Sequence, residues 1–123
     1  MSIWVCGEVL IDLIPGADGV RVPHVGGGPA NTAKSLARLG HDVQFIDGIS
    51  SDQYGVMSRK ELLDDEVKLD LALKSDKPTC LAIVSLAENG EHLTNLKLME
   101  QRLLIFHLIG CQTHLAISQM CFI

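Results

Sequence analysis

The sequence predicts an α/β fold with a parallel sheet, on three observations. Short apolar runs and helical periods follow one another as strand, helix, strand, helix, the order of right-handed parallel units. A triple glycine, Gly26-Gly27-Gly28, runs straight into the first helix, as a chain does where backbone bends sharply or comes close to a ligand. At 123 residues with 47% hydrophobic side chains, the chain is long enough to bury the core of one such domain, yet short for a complete two-substrate enzyme.

Taken in order, Ile3 to Cys6 is an apolar run stopped by Gly7 and reads as a buried central strand. Glu8 to Ile14 continues extended and holds Asp12 between Ile11 and Leu13. A carboxylate there is costly unless it is partnered, so two readings stand: an Asp on the wet face of an edge strand, or an acceptor for ligand hydroxyls. Pro15 to Gly19 is a turn cluster, and Val20, Val22 and Val25 give a short strand broken by Pro23. Pro29 suits the first helical position. Ala30, Ala33, Leu36, Ala37 and Leu39 then share a helical face, with Lys34, Ser35 and Arg38 elsewhere, and Gly40 closes the helix as a left-handed cap.

Asp42 to Asp47 gives the next strand. Residues 48 to 55 form a loop that seeds a second helix, Val56 to Glu66, with Ser51 or Asp52 as its N-cap. Val67 to Leu73 alternates with the period of a strand that has one wet face. Lys74 to Pro78 turns the chain, and Cys80 to Leu86 is an apolar strand closed by the hairpin signal Glu88-Asn89-Gly90-Glu91. Ligands of parallel sheets bind beyond the carboxyl ends of the strands, which places the loops Gly7 to Asp12 and Gly48 to Asp52 at the site.

On pattern alone the glycine stretch has three readings: a tight turn before a core helix, a phosphate loop, or a small-molecule site held by Gly26, Gly27 and Asn31. The phosphate loop fails at one place. Ala33 stands where that loop needs its second glycine, and Pro29 with the alanines makes Lys34 an interior helical residue. Asn31, on the first turn, carries both a donor and an acceptor toward whatever the glycines expose.

Gly26-Gly27-Gly28-Pro29-Ala30-Asn31-Thr32-Ala33, followed by Leu36-Ala37-Arg38-Leu39-Gly40, resembles the N-terminal signature of the ribokinase-like (PfkB) carbohydrate kinases, and the fructokinase-like branch most of all. The similarity extends upstream to Gly7-Glu8-Val9-Leu10-Ile11-Asp12-Leu13-Ile14-Pro15. Downstream it takes in Ile46-Asp47-Gly48-Ile49-Ser50-Ser51-Asp52-Gln53-Tyr54-Gly55 and Lys77-Pro78-Thr79, so that it covers about residues 1–91. The resemblance implies a three-layer parallel sheet flanked by helices, with a small β lid, of which this chain holds an incomplete N-terminal portion. Residues 20–25 and 67–73 become lid strands, and Gly26-Gly27 the hinge on which the lid turns. It implies an ATP-dependent sugar kinase in which Asp12, Gly26, Gly27 and Asn31 contact the sugar. Leu10 departs from ribokinase proper, which has a polar sugar contact there, and this counts against ribose. ATP and Mg2+ are expected of the full-length family, but the catalytic base belongs to a Gly-Ala-Gly-Asp stretch that this sequence does not contain, and neither nucleotide nor metal ligands are recognisable. Pairing through lid strands is what the family implies for a dimer.

From His92 the pattern breaks. Leu93 to Arg102 reads as a polar helix, and Leu103 to Ile123 lacks Asp, Glu, Lys and Arg. A membrane anchor is argued against by His107, Gln112, Thr113, His114, Ser118 and Gln119. A metal set of His107, Cys111, His114 and Cys121 shows no supporting ligand logic. The preferred account of residues 92–123 is a non-family tail translated out of frame, because a shifted reading of these codons is compatible with the segment the family would place next. A net charge of −5 excludes a nucleic-acid partner, which calls for clustered Lys and Arg. The first residues lack a basic leader and a small-residue cleavage site, and the cysteines at 6, 80, 111 and 121 form no CxxC pair. Both observations fit a cytoplasmic protein whose Cys6 and Cys80 are buried free thiols.

Overall fold

The computed structural model describes residues 1–86 and 92–97. Strand β1 (Ser2–Cys6) and strand β4 (Asp42–Ile46) pair in parallel, Ile3 opposite Val43 and Val5 opposite Phe45, with helix α1 (Gly28–Arg38) between them in the chain. Val43 and Phe45 are fully buried, and α1 lays Ala30, Ala33 and Ala37 against this sheet. Small side chains let helix and sheet approach closely, which is why the alanines come where they do.

Helix α1 ends in a full Schellman motif. The Gly40 amide donates to Ala37 O at 2.8 Å and the His41 amide to Leu36 O at 3.2 Å, with Gly40 at φ +85°, as the sequence reading expects of this glycine. Leu39, placed on the apolar face by that reading, is instead 75% exposed, because it is the C-cap and has already left the helical path. Lys34, placed off that face, is buried and reaches Glu61 of the second helix at 2.6 Å.

Helix α2 (Gln53–Asp64) begins three residues before the expected start, with Asp52 as the N-cap whose carboxylate accepts from the Gly55 amide at 2.7 Å. It packs beside α1, and a second ion pair ties the two: Arg38 Nε and Nη2 donate in parallel to the two oxygens of Asp65, each at 2.7 Å. Both described helices thus lie together. The opposite face of β1 carries Trp4, 66% exposed, and Cys6, also exposed. The expectation of a buried central strand with a buried Cys6 is corrected here, since β1 has β4 as its hydrogen-bonded neighbour among the described residues and is bare on the other side. Cys80 is buried as expected.

Residues Val67 to Leu73 are also corrected. They do not enter the lid. Lys68 accepts from the Phe45 amide and donates to Val43 O, each at 2.9 Å, so this stretch extends the core sheet beside β4. The chain then turns, and strand β6 (Leu73–Ser75) pairs in parallel with strand β5 (Gly48–Ser50). The alternation is real for Val67, which is fully buried, but a turn at Asp70-Leu71 breaks it and Leu71 and Leu73 face water.

The lid is a four-stranded mixed sheet in the order β3-β2-β7-β8. Strands β2 (Leu10–Pro15) and β3 (Arg21–Gly26) form a hairpin whose turn is closed by Gly16 N–H donating to Val20 O at 2.8 Å. Strand β7 (Leu81–Leu86) lies parallel to β2, and strand β8 (His92–Lys97) antiparallel to β7. The polar helix expected over Leu93 to Arg102 is therefore a strand as far as Lys97; the rest of it lies outside the described residues. A seam through Val9, Ile11, Val25, Phe45, Ile49 and Leu62 joins lid to core.

Candidate functional site

The site is built where β1 hands the chain to the lid and the lid hands it back to α1. Asp12 sits in the middle of β2, opposite His24 on β3 and Ala82 on β7. Alternation along β2 turns Ile11 into the core and Asp12 to the other face, so the carboxylate is half-buried rather than immersed. It leans over Gly26, and a Cβ at that position would overlap Asp12 Oδ2. No described residue donates a hydrogen bond to it. A half-buried carboxylate without a protein donor is a group left to be satisfied by water or by a ligand's hydroxyls.

Gly27 follows as the N-cap of α1, at φ +106° and ψ 130°, a conformation that L side chains rarely adopt. Its α-carbon presses on the connection between β1 and β2 so closely that a Cβ would sit 2.7 Å from Glu8 O. No described side chain caps this helix by a hydrogen bond and no acidic residue occupies its first turn, so the amides at its positive end carry no capping side chain. Asn31 lies on that first turn. Its amide donates to Gly27 O at 2.9 Å, and its side chain is exposed without a hydrogen bond to another described residue. Asp12, Gly26 and Gly27 are thus in direct succession, with Asn31 one helical turn beyond.

Two carboxylates that the sequence reading left without a site role stand at the edges of this arrangement. Asp47, just past β4, is 5% exposed, and its Oδ2 accepts from the Val9 amide at 3.2 Å. Burial pushes this carboxyl up to about 6, against the opposing pull of the Gly48 and Val9 amides and with help from the Glu8 charge. The signal was available: Asp47 sits between the apolar Ile46 and the loop, and the argument applied to Asp12 applies to it equally. Asp52 goes beyond its cap, accepting from the Thr79 amide and the Thr79 hydroxyl, each at 2.7 Å. Burial acts to raise its pKa, but the Thr79 and Gly55 donors outweigh it and hold the group below the ordinary carboxylate range. This clip fixes the Lys77-Pro78-Thr79 segment and so the start of β7, the neighbour of Asp12.

Nothing among the described residues gathers three or more His, Cys, Asp or Glu side chains as a metal site would require. No described helix is long and apolar enough to cross a membrane. Lys34, one turn into α1, is bound to Glu61 rather than curled over the glycines, which agrees with the case against a phosphate loop.

The comparisons with known proteins converge on one family. The pfkB family carbohydrate kinase model matches residues 2–120. The fructokinase of Escherichia coli is 37% identical over 92 residues, which are 73% of this chain and 30% of that protein. Among solved structures, fructokinase with bound ATP from Xylella fastidiosa superposes with a TM-score of 0.73 at 32% identity, over 80% of this chain and 30% of that one. Fructokinase from Vibrio cholerae in its fructose, ADP and calcium ion bound form gives 0.65 at 26% identity, over 78% of this chain and 32% of that one. The chain spans about 30% of the length of the curated relatives it matches. A mixed lid sheet beside a parallel core, joined to the first helix through glycines, is the form this chain gives to the part it shares with these kinases, and the chain belongs to the pfkB family of carbohydrate kinases.

Proposed function

We propose that this chain supplies the sugar-binding wall of a fructokinase-type, ATP-dependent carbohydrate kinase. The observation that carries the reading is the Asp12 carboxylate, half-buried, without a donor among the described residues and lying over a glycine that has no room for a side chain. A carboxylate in that position accepts two hydroxyls of one polyol, while the Gly26 and Gly27 backbone and the Asn31 side chain approach from the helix side. The Vibrio cholerae relative was solved with fructose and the Xylella fastidiosa relative with ATP, which supports a sugar acceptor and a nucleotide donor for the whole protein.

The wall orients a sugar; it does not by itself transfer phosphate. Phosphoryl transfer rests on positioning and on groups that stabilise the developing charge. The described residues do not fit a nucleotide or Mg2+ site: Gly26 is packed against Asp12 and Gly27 against Glu8 O, and the described carboxylates form no metal cluster. The reading for this polypeptide is therefore sugar binding without turnover. Fructose should raise its melting temperature in the absence of nucleotide, and a coupled ADP-release assay with fructose and ATP should stay at background. A flat melting temperature sinks the sugar wall, and turnover sinks the division of labour.

The alternative, a non-catalytic interaction fragment, is favoured by one observation, the bare face of β1 with Trp4 exposed. It predicts folding without any sugar response. A cytoplasmic location, and pairing of two copies through the lid edge where Val20 and Val22 are exposed, are further parts of the proposal. The boundary near residue 91 and the out-of-frame tail belong to it as well. The relatives align over 91 to 93 residues, while the family match runs over residues 2–120. Sequencing the gene through codons 88 to 96 tests both.

A further inference from the structure

Residues 7 to 9 carry the chain from the core strand β1 to the lid strand β2, and each of them is held. Gly7 lies so close to the Pro29 ring that a Cβ would overlap it, and the Glu8 carbonyl presses on Gly27. Val9 is buried and gives its amide to Asp47 Oδ2 at 3.2 Å. The first two contacts are packing against the hinge and the start of α1. The third is polar, and it comes from a different element, the carboxyl end of β4. Asp47 is anchored in turn, since its own carbonyl accepts from the Leu73 amide at 2.8 Å.

We infer that Asp47 is a positioning residue of the sugar site: its buried carboxyl latches the Val9 amide to the core sheet and so sets where the Asp12 strand stands relative to the glycine hinge. The inference rests on the sugar-wall reading above. A buried carboxyl is an expensive way to satisfy the Val9 and Gly48 amides, and backbone carbonyls or waters would serve if only satisfaction were needed. What the carboxyl adds is a bond whose strength depends on charge. The ionised form holds Val9 more firmly than the neutral acid does. Its raised pKa puts that change within the range where cells operate, and the Glu8 carboxylate is the charge that faces it.

The test uses this chain with fructose as the probe and two readouts, fructose affinity by calorimetry and hydrogen-exchange protection of the Val9 amide. Asp47→Ala removes the acceptor and should weaken both by about tenfold or more, the worth of a hydrogen bond to a charged acceptor. Asp47→Asn keeps an acceptor oxygen but cannot titrate. It should hold Val9 protection within about threefold of the parent and lose the parent's dependence of fructose affinity on pH between 5 and 7. If Asp47→Ala does not fold, the Asp47→Asn profile decides alone: a flat profile supports the latch and the parent's profile overturns it. Asp47→Ala with parental affinity and parental Val9 protection overturns it too. If the parent chain binds no fructose at any pH, the sugar-wall reading falls and the inference falls with it. A parent that binds fructose, beside variants that bind it equally well, overturns the latch and leaves the wall standing.

Discussion

The core layer and the lid wall share one apolar cluster but differ in the polar groups they present. Strands β1 and β4 and helices α1 and α2 are held by buried apolar contact and two interhelical ion pairs. The wall made by β2, β3 and the first turn of α1 shares that contact through Ile11, Val25 and Ala30, and adds two glycines without room for a side chain, one clipped amide, and a carboxylate with no donor among the described residues. What the difference teaches is that stability and binding are separable here. Changes in the layer should unfold the chain, and changes in the wall should leave it folded and unresponsive.

The largest effect tests the layer. Phe45 is fully buried between α1 and the sheet, and Phe45→Ala should cost about 3–5 kcal/mol, the range for deleting a buried aromatic ring. Net stabilities of such domains are themselves about 5–15 kcal/mol, so urea unfolding should show a midpoint near zero or no folded baseline. A midpoint close to that of the parent would mean that the lid, and not the layer, holds the chain together.

The next effect is a pH dependence with a definite sign. Asp47 has its carboxyl raised from 3.8 to about 6 in the folded chain, so the fold keeps this proton better than the unfolded chain does. Its contribution is full below the ordinary value and is lost as pH rises through about 6. At ~1.4 kcal/mol per unit this amounts to about 3 kcal/mol between pH 4 and 7. Asp42, Asp52 and Asp65 have lowered values and act in the opposite direction, supporting the fold above their ordinary range and losing it on acidification. The difference between the parent and Asp47→Asn isolates the first group: the variant should gain stability relative to the parent as pH rises from 4 to 7. A difference that is constant with pH would show that Asp47 is not buried in its charged form.

The order of elements was legible in the sequence because it is written in periods and punctuation. Pro29 and Gly40 bracket α1, Asp52 caps α2, and the valines and glycines around residues 15–26 spell the hairpin. What was not legible was the partner of each strand. Residues 67–73 alternate whether they join a lid or extend the core, and only the hydrogen bonds of Lys68 to Val43 and Phe45 decide it. The same holds for His92 to Lys97, where a polar helical period gave way to pairing with β7, a tertiary contact that local propensity does not contain. For the site, Asp12 and the glycines carried a local signature. Asp47 carried the same kind of signal as Asp12, but what it and Lys34 act on was not legible, because the partners lie 38 and 27 positions away.

A smaller effect separates the hinge from both regions. Gly27→Ala puts a side chain at φ +106° and within 2.7 Å of Glu8 O, which is backbone and cannot swing aside. Strain of this kind costs about 1–3 kcal/mol. The chain should still fold, with a lowered midpoint and a lost fructose response. A variant that keeps both would show that the hinge glycine is interchangeable and that the wall is not set by it.

The smallest effect on stability is the one that bears most on function. Asp12 donates nothing and accepts nothing from the described protein, so Asp12→Ala removes no internal bond, and it relieves the fold of a half-buried charge crowded against Gly26. Its urea midpoint should lie within about 0.5 kcal/mol of the parent or slightly above it, as for changes that touch no structural feature. Its fructose-dependent shift in melting temperature should vanish, because nothing else on that face of β2 accepts two hydroxyls at once. Asp12→Asn sharpens the point: it keeps the shape and one acceptor, and should recover part of the shift if shape matters and none if charge does. A strong loss of stability in Asp12→Ala would mean that the carboxylate is a structural group, and the comparison between a wall that binds and a layer that folds would no longer hold.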